Sequence, residues 1–487
     1  MNNISDRTEL IIGLVAPIGV NLQVVQNWIS NYLSHFGYKT KTIILSDFIK
    51  NFNGIDTQLV RDNEGDRIDS FMTAGNEIRQ KTGRNDIIAA LAIGDIHRNR
   101  TGMEQPLPET ANLLVSLKHP DEVELLRNTY GDGFYLLGIT SSKSKRMGYL
   151  TGLKGVPPEK AQKLIERDES EEFEFGQHVR ETFYLADGYF DINLADADKQ
   201  IERIIHMIFG FPWCTPTRDE YAMFLAFSAS LRSGDLSRQV GAVVTSAYGE
   251  VIATGANDVP RSGGGLYWPD DTPDNRDYNK GLDANEKCKN EIILKTMNKI
   301  SPELSEEQAL EKGEEIFHNT GLLDITEYGR AVHAEMEALL SCARAGVSPR
   351  DGSLYCTTFP CHNCAKHIIA SGIRRVVFIE PYPKSRAMDL HHDDIFFVDN
   401  DIPGPDQYGK VGFESFVGIG PRRFVDLFSM TLSNGKVIKR KEKGRTWCWQ
   451  PSCAGLKVPM KAISYIEQEK ITFAELEELI GGNHGDN

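Results

Sequence analysis

A histidine and two cysteines, set where helices begin, constrain this chain more than any other feature. They stand in His333-Ala334-Glu335 and in Pro360-Cys361-His362-Asn363-Cys364. One His and two Cys can hold zinc and leave the fourth tetrahedral position to water, the arrangement of a catalytic rather than a structural site. The cysteines open a helix that directly follows a strand, and His333 lies in the first turn of its own helix. The fold therefore has to bring two helix starts to one point. Helix N-termini also favour the thiolate forms that bind metal. A lone C-x-x-C would say much less, because redox pairs and structural zinc sites share it.

Glu335 stands two residues from the histidine and can move protons without ligating. Bound zinc brings the pKa of its water to about 7, and a carboxylate beside it can carry the released proton. The competing reading is a structural zinc knot with Glu335 as an ordinary helix N-terminal acid. That knot usually needs a fourth ligand, and none is evident nearby. His362 reads as solvent-facing or adjacent to the ligands, and Glu337 as a solvated helix residue.

The chain has 487 residues, room for two or three domains. Its 40% hydrophobic and 25% charged content suits a soluble globular protein. No apolar run is long enough to span a membrane, and the N-terminal residues lack a secretory pattern. Sparse cysteines, two of them wanted as zinc thiolates, point to a reducing cytoplasm. A net charge of −15 lowers the expectation of a polynucleotide partner.

Along residues 1–211, strand patterns at 10–15, 40–45, 112–118, 134–140 and 188–192 alternate with helical stretches, including 120–130. This predicts a parallel sheet with helices on both faces. Pro212 and Pro216 mark a boundary. The second domain, 217–410, reads as a helix at 220–233, a hairpin at 240–246 and 250–254, and a polar insertion at about 258–325 with helices near 291–299 and 306–317. A helix at 332–345, a strand at 353–358, a helix at 361–371 and a strand at 374–380 follow. Residues 411–487 form a C-terminal extension, with a short helix at 472–480 and disorder from 481.

The order H-x-E then P-C-x-x-C is that of the zinc nucleobase deaminases. With Ser237-Arg238-Gln239-Val240-Gly241-Ala242 and Thr254-Gly255-Ala256-Asn257, residues 217–395 resemble the deoxycytidylate deaminase branch of the cytidine deaminase superfamily. The resemblance implies a three-layer α/β/α fold and zinc as cofactor. It implies that His333, Cys361 and Cys364 hold the metal, that Asn257 orients the nucleoside and that Glu335 protonates N3 and the departing amine after water adds at C4. Arg238 is a candidate for phosphate, whose oxygens a guanidinium fork matches. Tyr382 and Lys384, with Arg386, are candidates for covering the base and binding phosphate. The whole arrangement resembles bacterial two-domain dCTP/dCMP deaminases that protect against phage, which implies a free deoxycytidine nucleotide substrate, homo-oligomers and regulation by nucleotide. Two alternatives stay open: editing of RNA or single-stranded DNA, and a defence switch triggered through the N-terminal domain.

That first domain resembles a P-loop kinase with a damaged loop. Ala16-Pro17-Ile18-Gly19-Val20-Asn21-Leu22-Gln23 follows a strand and opens a helix. Leu22 stands where a working loop has Lys, and Gln23 where it has Ser or Thr. Gly19, Val20 and Asn21 remain candidates for holding an anion with backbone amides, with Asp47, Arg67, Arg79 and Arg146 as candidate neighbours. Cys288, Cys448 and Cys453 are either a second metal site or, more commonly for such residues, buried thiols. The segment 263–268 reads as a lid, an effector loop or plain surface.

Overall fold

The computed structural model describes residues 7–52, 54–60, 62–100, 106–169, 175–318, 320–323, 325–381, 385–398, 409–431, 435, 437–460 and 462–482. They form two compact units, 1–220 with 417–487, and 221–416. No described helix is long and apolar enough to cross a membrane.

In the first unit, strands β1 (Leu10–Val15), β2 (Lys39–Ile44), β3 (Thr110–Val115), β4 (Phe134–Thr140) and β5 (Gly188–Asp191) lie parallel in the order β5-β4-β1-β3-β2. Gly418–Ile419 adds an antiparallel edge beside β5. All six residues of β1 are buried, as expected of a central parallel strand covered on both faces. Leu10, Ile12 and Leu14 pack under α1 (Leu22–His35), through Val25, Ile29 and Leu33. Fully burying each such side chain contributes about 1.5–3 kcal/mol.

Several helices escape the sequence reading of this unit, among them α2 (Glu64–Thr82), α3 (Ile87–Arg98) and α5 (Ala197–Ile208), the last on the same core as α1. The predicted α4 (Pro120–Tyr130) forms as read. The C-terminal segment also departs from expectation. Its helix spans Ala462–Gly482 rather than a short 472–480, because it packs along α3 and α4. Buried charges fasten it: Arg100 binds Glu469 at 2.6 and 2.7 Å and Glu9 at 2.6 Å, and Tyr465 donates to Glu9 at 2.7 Å. Residues 483–487 lie outside the described residues.

The second unit holds a mixed sheet. Its strands are β6 (Gly241–Thr245), β7 (Val251–Ala256), β8 (Ser353–Thr358), β9 (Arg375–Glu380), β10 (Ile395–Phe397) and β11 (Val411–Ser415). Their order is β10-β11-β9-β8-β6-β7. The hairpin β6–β7 and the β6–β8 pair are antiparallel, the others parallel. Since β11 pairs with β9, this unit closes at Phe416 rather than at residue 410.

Helix α6 (Arg218–Ser230) covers one face of the hairpin, and α9 (Ala334–Ala345) the other. Two glycines permit this approach. A Cβ on Gly241 would meet Ala226 O at 1.9 Å, and one on Gly255 would meet Ala334 O at 2.1 Å. The insertion carries α7 (Ala284–Ile300) and α8 (Glu306–Phe317), which share a small core of Ile293, Met297 and Ala309. Helix α10 (His362–Ser371) packs beside α9.

Candidate active site

Two helix starts meet in the second unit. The run AEMEALLSCARA of α9 is rich in strong helix formers, and Gly346 ends it in the left-handed conformation, φ 69°. His333 is its N-cap residue but makes no side-chain capping bond, so the imidazole is turned to other use. Cys361 caps α10, and its Sγ accepts Cys364 N–H at 3.4 Å. The turn before it is fixed by Ser385 Oγ, which donates to Pro360 O at 2.8 Å.

His333 Nδ1 lies 3.3 Å from Cys364 Sγ and 3.4 Å from Cys361 Sγ. One ligand atom from each of the three lies within 4.8 Å of the others. Tetrahedral zinc with ordinary Zn–N and Zn–S bonds spaces N and S about 3.5 Å apart, so the donor set and its spacing fit zinc. Among the described residues this is the one such cluster, and Cys288, Cys448 and Cys453 do not form a second. Cys448 and Cys453 are exposed, which corrects the expectation of buried thiols.

Charge is shared among these three side chains. The bond from Cys364, then the contact with His333, draw the Cys361 thiol down to about 3. That thiolate in turn raises His333 to about 9, against its burial. Cys364 is pushed well above the ordinary thiol value by its bond to Cys361 and by burial. Glu335 is only 5% exposed, and burial raises its carboxyl. Wholly buried beside it is Cys356, whose thiol is raised well above normal by burial and by the Glu335 charge. As a strand residue, Cys356 carries no sequence signal beyond that of an ordinary core position.

Asn257, just after β7, is 8% exposed. Its Oδ1 accepts Val240 N–H at 2.6 Å and its Nδ2 donates to Arg238 O at 2.8 Å. The amide thus holds the 238–240 turn, with one N–H and one lone pair left over. Arg238 is exposed at the rim, its Nη1 3.8 Å from Glu380 at the end of β9. Tyr382 and Lys384 lie outside the described residues. His362 is half-exposed, with Nε2 3.9 Å from Glu327. Glu337 is buried and paired with Arg344, not solvated as its helix position suggested, because it is turned into a cavity beside β7. That cavity, of about 590 Å³, is also lined by Arg232, Arg261, Arg344 and Trp268. Neither the ligand trio nor Glu335 is among its lining residues. The 263–268 segment is therefore part of a cavity wall, and Arg232 stacks 3.8 Å over Trp268.

In the first unit the 16–23 loop already holds a carboxyl group of the chain's own. Ile18 N–H donates to Asp168 Oδ2 at 2.7 Å. Lys118 Nζ donates to Asp168 Oδ1 at 2.7 Å and to Ala16 O at 3.2 Å. Gly19 has φ +87°, and the Arg146 backbone lies so close that a Cβ there would meet Arg146 O at 2.9 Å. Gly19, Val20 and Asn21 are half-buried. Of the four candidate neighbours only Arg146 reaches the loop, giving Ile18 O a bond of 3.4 Å. Arg79 pairs with buried Glu122, Arg67 with Glu64, and Asp47 with Lys50.

Residues 216–380 match the family model for the cytidine and deoxycytidylate deaminase zinc-binding region. ComE operon protein 2 of Bacillus subtilis is 45% identical over 64 residues, 13% of this chain and 33% of that protein. Deoxycytidylate deaminase of Enterobacteria phage T4 is 44% identical over 55 residues, 11% of this chain and 28% of the phage protein. The Mus musculus deoxycytidylate deaminase is 26% identical over 177 residues, 36% of this chain and 66% of that protein. The chain thus spans about a third of the first relatives it matches. Among solved structures, dCMP deaminase from cyanophage S-TIM5, in complex with dCMP and dUMP, aligns at 18% identity over 42% of this chain and 99% of the other, with a TM-score of 0.23.

Proposed function

We propose that this chain, whose residues 216–380 match the model for the cytidine and deoxycytidylate deaminase zinc-binding region, hydrolyses the amine of a free deoxycytidine nucleotide and releases ammonia. The observation that carries the reading is the His333, Cys361 and Cys364 trio with the buried carboxyl of Glu335 two residues from its histidine. Zinc, when held by these three side chains, supplies a water acidic enough to add to C4 at neutral pH. Glu335 takes the proton of that water, delivers it to N3, and passes the second to the amine. The C4–N bond breaks as the C4–O bond is kept, so cytosine and water become uracil and ammonia.

Asn257 orients the nucleoside with the N–H and lone pair its turn does not use. Arg238 meets phosphate at the rim, with Tyr382 and Lys384 as further base and phosphate contacts. The reading extends to dCTP as well as dCMP, and to a role in starving phage of dCTP. Its test is ammonia release and product mass from zinc-loaded protein offered dCMP, dCTP, CTP and a cytosine oligonucleotide. Turnover of dCMP or dCTP is the expected outcome, and turnover of the oligonucleotide alone would replace this reading with editing.

For the first unit, we propose a P-loop kinase-like origin without phosphoryl transfer, since the Lys and Ser/Thr positions are Leu22 and Gln23. A regulatory nucleotide bound at Gly19, Val20 and Asn21 has to displace Asp168. Asp168→Asn is then expected to bind pyrophosphate at least about tenfold more tightly than the unaltered protein by titration calorimetry, the size of one charge-assisted hydrogen bond. Equal affinity in the two proteins would remove Asp168 as a competitor.

A further inference from the structure

We propose that Arg276, a buried arginine of the insertion, is a positioning residue for deamination, clamping together the two backbone segments that deliver Asn257 and His333. The inference rests on the deaminase reading above.

The two segments meet outside any strand. Asp258 directly follows Asn257, and Val332 directly precedes His333. They form an isolated antiparallel bridge, Val332 N–H to Asp258 O at 2.9 Å and Asp258 N–H to Val332 O at 3.3 Å. The bridge thus ties the substrate amide to the metal imidazole directly, beside the packing of α9 on β7 at Gly255.

Four insertion residues grip that pair from both sides. On one side, the Asp258 carboxylate is 1% exposed. Its Oδ1 accepts Val259 N–H at 2.8 Å, and its Oδ2 accepts Gly234 N–H at 3.2 Å and faces Arg276 Nη1 at 3.7 Å. Arg276 is itself 4% exposed. Asp274 anchors its Nε at 3.0 Å and its Nη2 at 2.7 Å, and the Tyr278 ring lies 4.9 Å away. On the other side, Arg330, three residues before His333, donates to Asn275 O at 3.1 Å and pairs with Asp277. The stretch 274–277 thus joins the chain just after Asn257 to the chain just before His333.

The same grip reaches the turn that bears Arg238. Gly234 N–H is on Asp258, Ser233 Oγ donates to Asn257 O at 2.6 Å, and Asp235 Oδ1 accepts Ser237 N–H at 2.9 Å. A buried ion pair is weak evidence for stability, because desolvating both charges offsets their attraction. What this one does supply is registry between three loops, and a catalytic constellation tolerates errors of only about 0.5 Å.

The experiment compares Arg276→Met and Arg276→Lys with the unaltered protein. It reads zinc retention against a chelator, kcat and KM for dCMP and dCTP, and thermal midpoint. Arg276→Met is expected to lose zinc at about tenfold lower chelator concentration and to lower kcat/KM by about ten- to a hundredfold at full zinc loading, the range for residues that orient a metal ligand. Arg276→Lys should recover part of both losses, since its ammonium reaches Asp258 but cannot fork onto Asp274. Should the Met variant not fold, Arg276→Lys and Asp274→Asn carry the test. Unchanged kinetics and unchanged zinc retention in the folded variants overturn the proposal. If the unaltered protein turns over no nucleotide, the deaminase reading fails by itself. The chelator comparison then still decides whether Arg276 positions His333.

Discussion

Glu335→Gln is expected to lower turnover by about 10²–10⁴-fold while zinc stays bound, the range for losing a positioned proton carrier. The glutamine keeps the size and hydrogen-bonding capacity of the side chain but cannot take up and return a proton. Glu335 is not one of the three ligand residues, so metal content measured by emission spectroscopy should match the unaltered protein. Fold stability should also hold or rise, because an ionisable group held at 5% exposure costs free energy to bury. The pH profile gives a second check. Burial raises the Glu335 carboxyl above its ordinary value of 4.5. The carboxylate form has to accept the first proton, so kcat/KM should fall as pH drops through that raised value, and the acid limb should lie above 4.5. Ordinary turnover in the Glu335→Gln protein would strip Glu335 of its role.

The parts of this site that were legible in the sequence share one property: local geometry forces them. His333 and Cys361 are N-cap residues of helices. A ligand at a helix start points away from the helix, so its position follows from the sequence once the helix is recognised. Asn257 was placed at a strand end, but its grip on Arg238 O and Val240 N–H is a contact between segments and no pattern announces it. Cys356 is the buried core residue its strand position suggests, and only the fold sets it beside Glu335. In the first unit, α3 reads IIAALAIGDIHR, apolar nearly all round. It lacks a one-sided stripe because the C-terminal helix covers what the rest of the unit leaves open. Arg100 and Glu469 are 369 residues apart, and only the fold shows that they neutralise each other. Asp168 against the 16–23 loop was equally out of reach, being an ordinary acid near a helix end until Ile18 and Lys118 converge on it.

Cys364→Ala is expected to weaken zinc binding by on the order of a hundred- to a thousandfold, about a quarter of the free energy of a four-ligand site, and to abolish turnover at ordinary zinc levels. The fold should survive, since Cys364 packs among Ala365, Ile368 and Cys342 and the exchange removes one buried atom, a cost of about 1 kcal/mol. Proton counting distinguishes loss of a ligand from a general loosening. Before zinc binds at pH 6, His333 is protonated, its value raised to about 9. Cys364 is a thiol, raised well above normal, while Cys361 is already a thiolate, lowered to about 3. Binding therefore expels about two protons per zinc, from His333 and Cys364 and none from Cys361. Raising pH removes the competing protons, so zinc affinity should climb about a hundredfold per pH unit between the Cys361 and His333 values. Cys364→Ala takes away one of these protons and also the hydrogen bond that chiefly lowers Cys361, so its climb should flatten to about tenfold per unit only above the Cys361 value that the His333 contact alone sustains. Titration calorimetry in buffers of different ionisation enthalpy reads both slopes. A two-proton release that persists without Cys364 would mean that Cys361, without its Cys364 hydrogen bond, is a thiol until the metal arrives, or that another group holds the metal.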